Sequence, residues 1–246
     1  TEAAGRSGTP LAVTVWCPGG KFGVMKRTGG GAAAKRRGGE AAADAVDDGM
    51  VVGLGTGSTA AYAIETLGRA VEEGLDIVGV PTSLGARQRA IDCGIDLRGL
   101  DEIDGIDLAI DGADQLVGET GVCLKGGGGA HSREKLVADA AAKLHLVVDD
   151  TKLTDTLDQP VPIEVLPDAH TIVANSVRSH GGEPTLRDAT NKDGPVVTDN
   201  GNLVCDVDFG RIGEPASLAT QLSAIPGVVE HGLFVDYTTT VSVLSL

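Results

Sequence analysis

Between Ala32 and Lys152, short apolar runs alternate with helical segments, and each apolar run stops in glycine or polar residues. "MVVGLG" passes into "TGST", "DIVGV" into "PTS", "IDLAI" into "DGAD", "VCL" into "KGGGG" and "HLVV" into "DDTK". The segments between them, "STAAYAIETLGRAVEEG", "LGARQRAIDCG" and "HSREKLVADAAAKL", have helical spacing. An alanine-rich stretch, "AAAKRRGGEAAADAV", predicts a helix ahead of the first strand, weakened at Gly38-Gly39. Strands that alternate with helices need crossover connections. The expected fold is therefore α/β, a Rossmann-like domain built on a mainly parallel sheet. In such sheets ligands bind outside the carboxyl ends of the strands. The polar strand ends are expected to converge on one cleft.

After Thr154 the texture changes. "VPIEVLP" reads as a strand bounded by prolines and "HTIVANSVRSHGG" as a helix. "EPTLRD" is a short strand, and "VVTDNGNLVCDVDF" a hairpin turning at Asn200-Gly201. "EPASLATQLSAI" is a helix and "GVVEHGLF" a strand. These elements predict a second, smaller α+β domain, a two-layer ferredoxin-like sandwich. The expected boundaries are 25–153 for the α/β domain and 154–230 for the small one. A β-rich segment, 231–246, is expected to return to the α/β domain. Residues 1–24 show no sustained period and are expected to be a disordered or non-native extension.

Charge narrows the partners. Lys and Arg number 20 against 35 Asp and Glu, a net charge of −15. Nucleic acid and anionic membrane both call for basic patches, so neither is expected. No apolar run approaches the roughly 20 residues that span a bilayer. The acid is spread along the chain, which suggests a halophilic, salt-adapted cytoplasm. Cys17, Cys93, Cys123 and Cys205 are far apart with no CxxC, and read as isolated reduced thiols.

Three loops carry chemistry. "GLGTGST" (53–59) joins a strand to a helix and presents backbone N–H groups and the helix dipole to an anion. It fits neither the dinucleotide fingerprint nor the P-loop, which leaves phosphate binding with the hydroxyls of Ser58 and Thr59. The plainer reading is a structural turn whose Ser-Thr pair caps the helix. "DGAD" (111–114) sets two carboxylates at a strand end, suited to hydroxyl binding, metal binding or acid–base work, or simply solvated. "KGGGGAHSREK" (125–135) combines a cation, bare backbone and a carboxylate, with Ser132 placed as an N-cap and Glu134 in the first helical turn. That position lowers a carboxylate's pKa, whereas burial in a closed pocket raises it.

In this order and spacing, "GLGTGSTA", "PTS", "DGAD", "KGGGGAHSREK", "VVDDTK" and "PVPIEVLP" resemble the type A ribose-5-phosphate isomerase family, from about Lys35 to the C-terminus. The resemblance implies a cofactor-free aldose–ketose isomerisation of a pentose phosphate, without metal, in a homodimer or homotetramer. It implies that Thr56, Gly57, Ser58, Thr59 and Lys152 hold phosphate. Asp111, Gly112, Ala113 and Asp114 with Lys125, Gly126, Gly127 and Gly128 would hold the sugar. Glu134 would accept the proton, assisted by Lys125, Asp111 and Asp114, with the two aspartate roles undivided. Lys35-Arg36 is a weaker match to a phosphate-binding lysine. Gln115 stands where the family commonly has Glu, and His131 and Ser132 where bacterial members more often show Leu and Thr. The competing expectations are an amino-sugar-phosphate deaminase, a lactonase, or a sugar-phosphate sensing domain.

Overall fold

The computed structural model describes residues 12–16, 32–237 and 240–244. The first part of the chain runs β1 (Ala12–Trp16), α1 (Ala32–Ala43), β2 (Val51–Leu54), α2 (Ser58–Glu72), β3 (Val78–Pro81), α3 (Leu84–Asp92), β4 (Asp96–Leu97) and β5 (Ile106–Asp111). Next come β6 (Gln115–Val117), β7 (Cys123–Leu124), α4 (His131–Ala140), β8 (Ala141–Asp149) and β9 (Leu153–Thr154). The remainder is β10 (Val161–Val165), α5 (His170–Ser179), β11 (Glu183–Leu186), β12 (Leu203–Asp208), α6 (Pro215–Ser223), β13 (Val228–His231), β14 (Leu233–Phe234) and β15 (Thr240–Leu244).

The large sheet has the order β1-β15-β8-β5-β2-β3-β4 and every pairing in it is parallel. Helix α4 packs on this sheet through Val137 and Ala138, both about 1% exposed. The contact is close because β2 carries Gly53, where a Cβ would lie 2.6 Å from Val137 Cγ1 and 2.8 Å from Ala109 Cβ. Burying a side chain such as Val137 contributes about 1.5–3 kcal/mol, which anchors the helix that carries Glu134.

The small domain runs β10-α5-β11-β12-α6-β13 and forms an antiparallel sheet in the order β11-β12-β10-β13. That is the split βαβ arrangement of a ferredoxin-like sandwich. Val161, Ile163 and Val165 of β10 are fully buried, against Val173 and Val177 of α5. The turn at Asn200-Gly201 forms as expected, with Gly201 at φ 82° and Thr198 N–H bonded to Asn202 O at 2.8 Å. The hairpin's first arm is reduced to a single bridge, Val197 to Leu203.

Three expectations change. Cys123–Leu124 does not join the parallel sheet. It pairs antiparallel with β6 and β14 in a separate sheet of order β14-β7-β6-β9. The 118–122 connection between β6 and β7 is too short for a parallel crossover. Helix α4 stops at Ala140, where the sequence pattern carries it to Leu144; β8 begins at once. Within 1–24, read as a disordered or non-native extension, the disordered reading does not hold for Ala12–Trp16, which forms the edge strand β1 beside β15. Its β-branched run "VTV" favours extended backbone, but its partner lies at the other end of the chain. The rest of 1–24 is outside the described residues.

The domains meet at the turn 198–202. Asp199 Oδ2 accepts from the Leu84 N–H at the start of α3, at 2.7 Å. Asn200 Oδ1 accepts from Arg133 Nε at 2.9 Å. Behind the turn, Glu164 is fully buried and accepts from Ser132 Oγ, Thr198 Oγ1 (2.9 Å) and Asn202 Nδ2 (2.8 Å). These donors keep its pKa low despite burial.

Candidate active site

The carboxyl ends of β2, β5 and β8, with the loop after β7, enclose a cleft of about 710 Å³ including its open mouth. Its lining includes Thr56, Gly57, Ser58 and Thr59, then Gly112, Ala113 and Asp114, then Lys125, Gly126, Gly127, Gly128 and Glu134, with Lys152. Of the residues that the resemblance assigns to phosphate, sugar or proton transfer, all line it except Asp111 and the weaker match Arg36. Asp111 is buried directly behind it, 4% exposed.

One end of the cleft is built for an anion. Helix α2 starts after Gly57 (φ 113°) with no side-chain cap, so its first N–H groups lack the usual cap partner. Lys35 and Lys152 line the same cleft. Arg36, the other half of the weak basic match, turns instead over the Tyr62 ring at 5.6 Å. The Thr56 hydroxyl also turns away. It bonds Ser83 Oγ at 2.7 Å and Thr82 Oγ1 at 2.8 Å. The "PTS" end of β3 therefore supports the phosphate-type loop from behind and is not part of the cleft wall.

The other end holds a buried charge cluster. Lys125 Nζ donates to Gly112 O at 2.6 Å and lies 3.0 Å from Asp111 Oδ2 and 3.3 Å from Glu134 Oε2. Asp111 Oδ1 accepts the N–H groups of Thr56 (3.1 Å) and Gly112 (2.8 Å). Lys125 and Glu134 are 3% and 5% exposed. Burial alone would discharge the lysine, but the flanking carboxylates outweigh it and raise its pKa. Burial raises the Asp111 pKa against the pull of Lys125. Burial likewise pushes Glu134 up to about 8, opposed by Lys125 and reinforced by Asp111 and Asp114. The helix N-terminus is outweighed. Glu134 is a carboxyl that exchanges a proton near neutral pH, as a general base requires. Lys125 is held from the far side too, its N–H bonded to Gly232 O at 2.8 Å between β13 and β14.

The glycine run does not present all its amides to the cleft. Gly126 and Gly129 take φ 107° and 72°, and the Gly129 N–H closes a turn onto Gly126 O at 2.9 Å. The Gly127 N–H is given to Asp114 Oδ2 at 2.8 Å. At Gly127 a Cβ would sit 2.8 Å from Asp114 Oδ1, so the close approach is made by the protein's own carboxylate.

Comparison with known proteins decides the family. The model of the family "Ribose 5-phosphate isomerase A (phosphoriboisomerase A)" matches residues 78–245. The chain belongs to the ribose 5-phosphate isomerase A family. A relative from Natronomonas pharaonis named ribose-5-phosphate isomerase A is 61% identical over 211 residues, 86% of this chain and 92% of the relative. The solved ribose 5-phosphate isomerase A from Methanocaldococcus jannaschii superposes with a TM-score of 0.82 at 42% identity, covering 85% of this chain and 94% of that one. A D-ribose-5-phosphate isomerase solved in complex with phospho-erythronic acid gives 0.84 at 41% identity, covering 87% and 94%.

The departures from the ribose 5-phosphate isomerase A pattern have local reasons. Gln115 donates to Asp158 Oδ1 at 2.6 Å and accepts the N–H groups of Asp158 (2.9 Å) and Gln159 (3.0 Å). A glutamate could not donate to Asp158. Ser132 does not cap α4; Ala130 holds the N-cap position, and the Ser132 hydroxyl goes to Glu164. His131 is fully buried under the glycine loop, where a Cβ on Gly126 would meet its Nδ1 at 2.8 Å. Burial lowers its pKa to about 4, so it is neutral. Sequence reasoning missed Arg187. This small-domain arginine donates from Nη1 to Gly126 O at 3.0 Å and to Gly127 O at 3.2 Å. Its only signal was position, a lone arginine at a strand end far from every glycine motif.

Proposed function

We propose that this chain interconverts D-ribose 5-phosphate and D-ribulose 5-phosphate through a cis-enediolate, with Glu134 carrying one proton between C2 and C1. The observation that carries the reading is the pairing of Glu134, pKa about 8, with Lys125 at one end of a cleft whose other end is an uncapped helix start flanked by Lys35 and Lys152. The phosphate rests on Gly57, Ser58 and Thr59 with the two lysines, and the open-chain sugar lies toward Glu134.

Glu134 removes the C2 proton, the C1–C2 double bond forms, and charge moves onto O1. A proton then passes from O2 to O1. The enediolate collapses to the C2 ketone as C1 takes the proton back from Glu134. Lys125 stabilises the oxygen that gains charge, an interaction worth about 3 kcal/mol when placed in advance. Asp111 spends both carboxylate oxygens on Lys125, Thr56 and Gly112, so it anchors the lysine. Asp114 lines the cleft and, in this reading, opens the sugar ring and relays the O2 proton.

We extend the proposal to a homodimer or homotetramer in a salt-adapted cytoplasm, serving the non-oxidative branch of pentose phosphate metabolism. The charge of −15 and exposed apolar residues of the small domain, Leu166, Ile172 and Val229, support it. Sizing in molar KCl tests the oligomer, and a monomer would reject that part. The activity is tested by mixing the purified chain with ribose 5-phosphate and following ketose formation in metal-free buffer. A folded protein with no turnover rejects the isomerase reading.

A further inference from the structure

Arg187 follows β11 on the small domain, and its guanidinium has two duties. Nε donates to Asp206 Oδ2 at 2.8 Å and Nη2 to Asp206 Oδ1, a bidentate grip across to β12. Nη1 remains for the carbonyl oxygens of Gly126 and Gly127. Two successive carbonyls of the glycine loop thus face the small domain. A trans peptide holds its C=O and N–H on opposite sides of one plane. The Gly126 carbonyl shares its peptide with the Gly127 N–H, and the Gly127 carbonyl with that of Gly128. Both amides are therefore turned toward the cleft. The first reaches Asp114 Oδ2 at 2.8 Å. The second belongs to Gly128, which lines the cleft.

A glycine run has unusual backbone freedom. The Gly126–Gly127 peptide is also held by the Gly129 N–H and by Asp114. Arg187 adds a tie from the small-domain sheet that reaches the next carbonyl, Gly127 O, as well, and Asp206 fixes the direction of the fork. Arginine suits this task because its planar donors address one carboxylate and two carbonyls at once, which an ammonium cannot do in the same geometry. The Arg187 side chain is not part of the cleft lining, so it acts through the loop.

We infer that Arg187 is a positioning residue for the isomerisation: it holds the Gly126–Gly128 peptides so that the Gly128 N–H points at the sugar oxygen on which charge develops. The inference rests on the isomerase reading. It makes the small domain part of the catalytic apparatus.

The test is steady-state isomerisation of ribose 5-phosphate by wild type, Arg187→Ala and Arg187→Lys. For Arg187→Ala, kcat should fall about 10²-fold, the scale of a misplaced reacting geometry. KM should stay within about threefold, because the phosphate end is untouched. Added guanidinium should restore part of kcat, and Arg187→Lys should fall in between. A residue that only stapled the domains would not give a kcat loss rescued by guanidinium. An Arg187→Ala kcat within about twofold of wild type overturns the inference, as does a loss carried by KM and insensitive to guanidinium. If Arg187→Ala does not fold, Arg187→Lys decides, and a wild-type kcat there overturns the inference. A wild type without turnover would instead refute the isomerase reading itself.

Discussion

Lys125 Nζ stands 3.3 Å from Glu134 Oε2, and both groups are buried. The lysine pulls the carboxyl's pKa down while burial pushes it up, and burial wins at about 8. A base must be deprotonated to act. The kcat/KM profile should therefore rise with pH and level off above about 8. Removing the cation in Lys125→Met should move that limb to higher pH and lower kcat. A limb that stays in place would show that Lys125 does not face Glu134 in solution.

Glu134→Gln should separate stability from activity. The folded pKa of Glu134 lies above its unfolded value of about 4.5. Its folded state binds the proton more tightly, so the stability it contributes is full below pH 4.5 and falls as pH rises to about 8. Glutamine removes that loss. The variant should melt higher than wild type at pH 8.5, by about 2–4 °C for each kcal/mol recovered, while losing nearly all kcat. An unchanged melting temperature would mean that the Glu134 charge costs little in the fold.

At the opposite end of the cleft, Lys152→Ala and Ser58→Ala should chiefly raise KM for ribose 5-phosphate. Unphosphorylated ribose should be affected much less. Equal losses on both sugars would remove the phosphate role from these residues.

Gly232 is remote in sequence but touches the lysine's backbone. A Cβ there would collide with the Lys125 carbonyl oxygen and stand 2.9 Å from Pro162 Cδ. Gly232→Ala should cost about 1–3 kcal/mol in denaturant unfolding, as overpacking does, and should lower kcat by shifting Lys125. A variant with wild-type stability and activity would show that the β13–β14 link yields easily.

A net charge of −15 predicts salt dependence. Raising the salt from 0.1 M to 1 M shortens the screening length from about 10 Å to about 3 Å and mutes repulsion among surface carboxylates. The melting temperature and activity should both rise toward molar KCl. A fall in melting temperature would contradict a salt-adapted surface.

The parallel sheet was legible because strands such as "MVVGLG" and "IDLAI" are mostly apolar runs between helical segments. The ferredoxin-like domain was legible from element order alone. Local patterns could not show which strands pair. Cys123–Leu124 looks like any other strand end, yet its partners Gln115–Leu116 and Leu233–Phe234 make it antiparallel. In the cleft, the ordered motifs and the family resemblance they carry nominated Asp111 and Asp114. Dividing them needed coordinates, since only distances show that Asp111 is committed to Lys125. Arg187 was out of reach because its partners in the glycine loop are backbone carbonyl groups, which leave no mark in a sequence.

The position of β15 has a consequence for how the chain assembles. Residues 240–244 lie between β1 and β8 in the large sheet, after the whole small domain in chain order. The small domain is continuous and can form as soon as its residues leave the ribosome. The large sheet must wait with one side of β8 uncovered until β15 arrives. β2–β5 and β8 emerge before the small domain, so the large sheet can start first but is completed last, when β15 arrives.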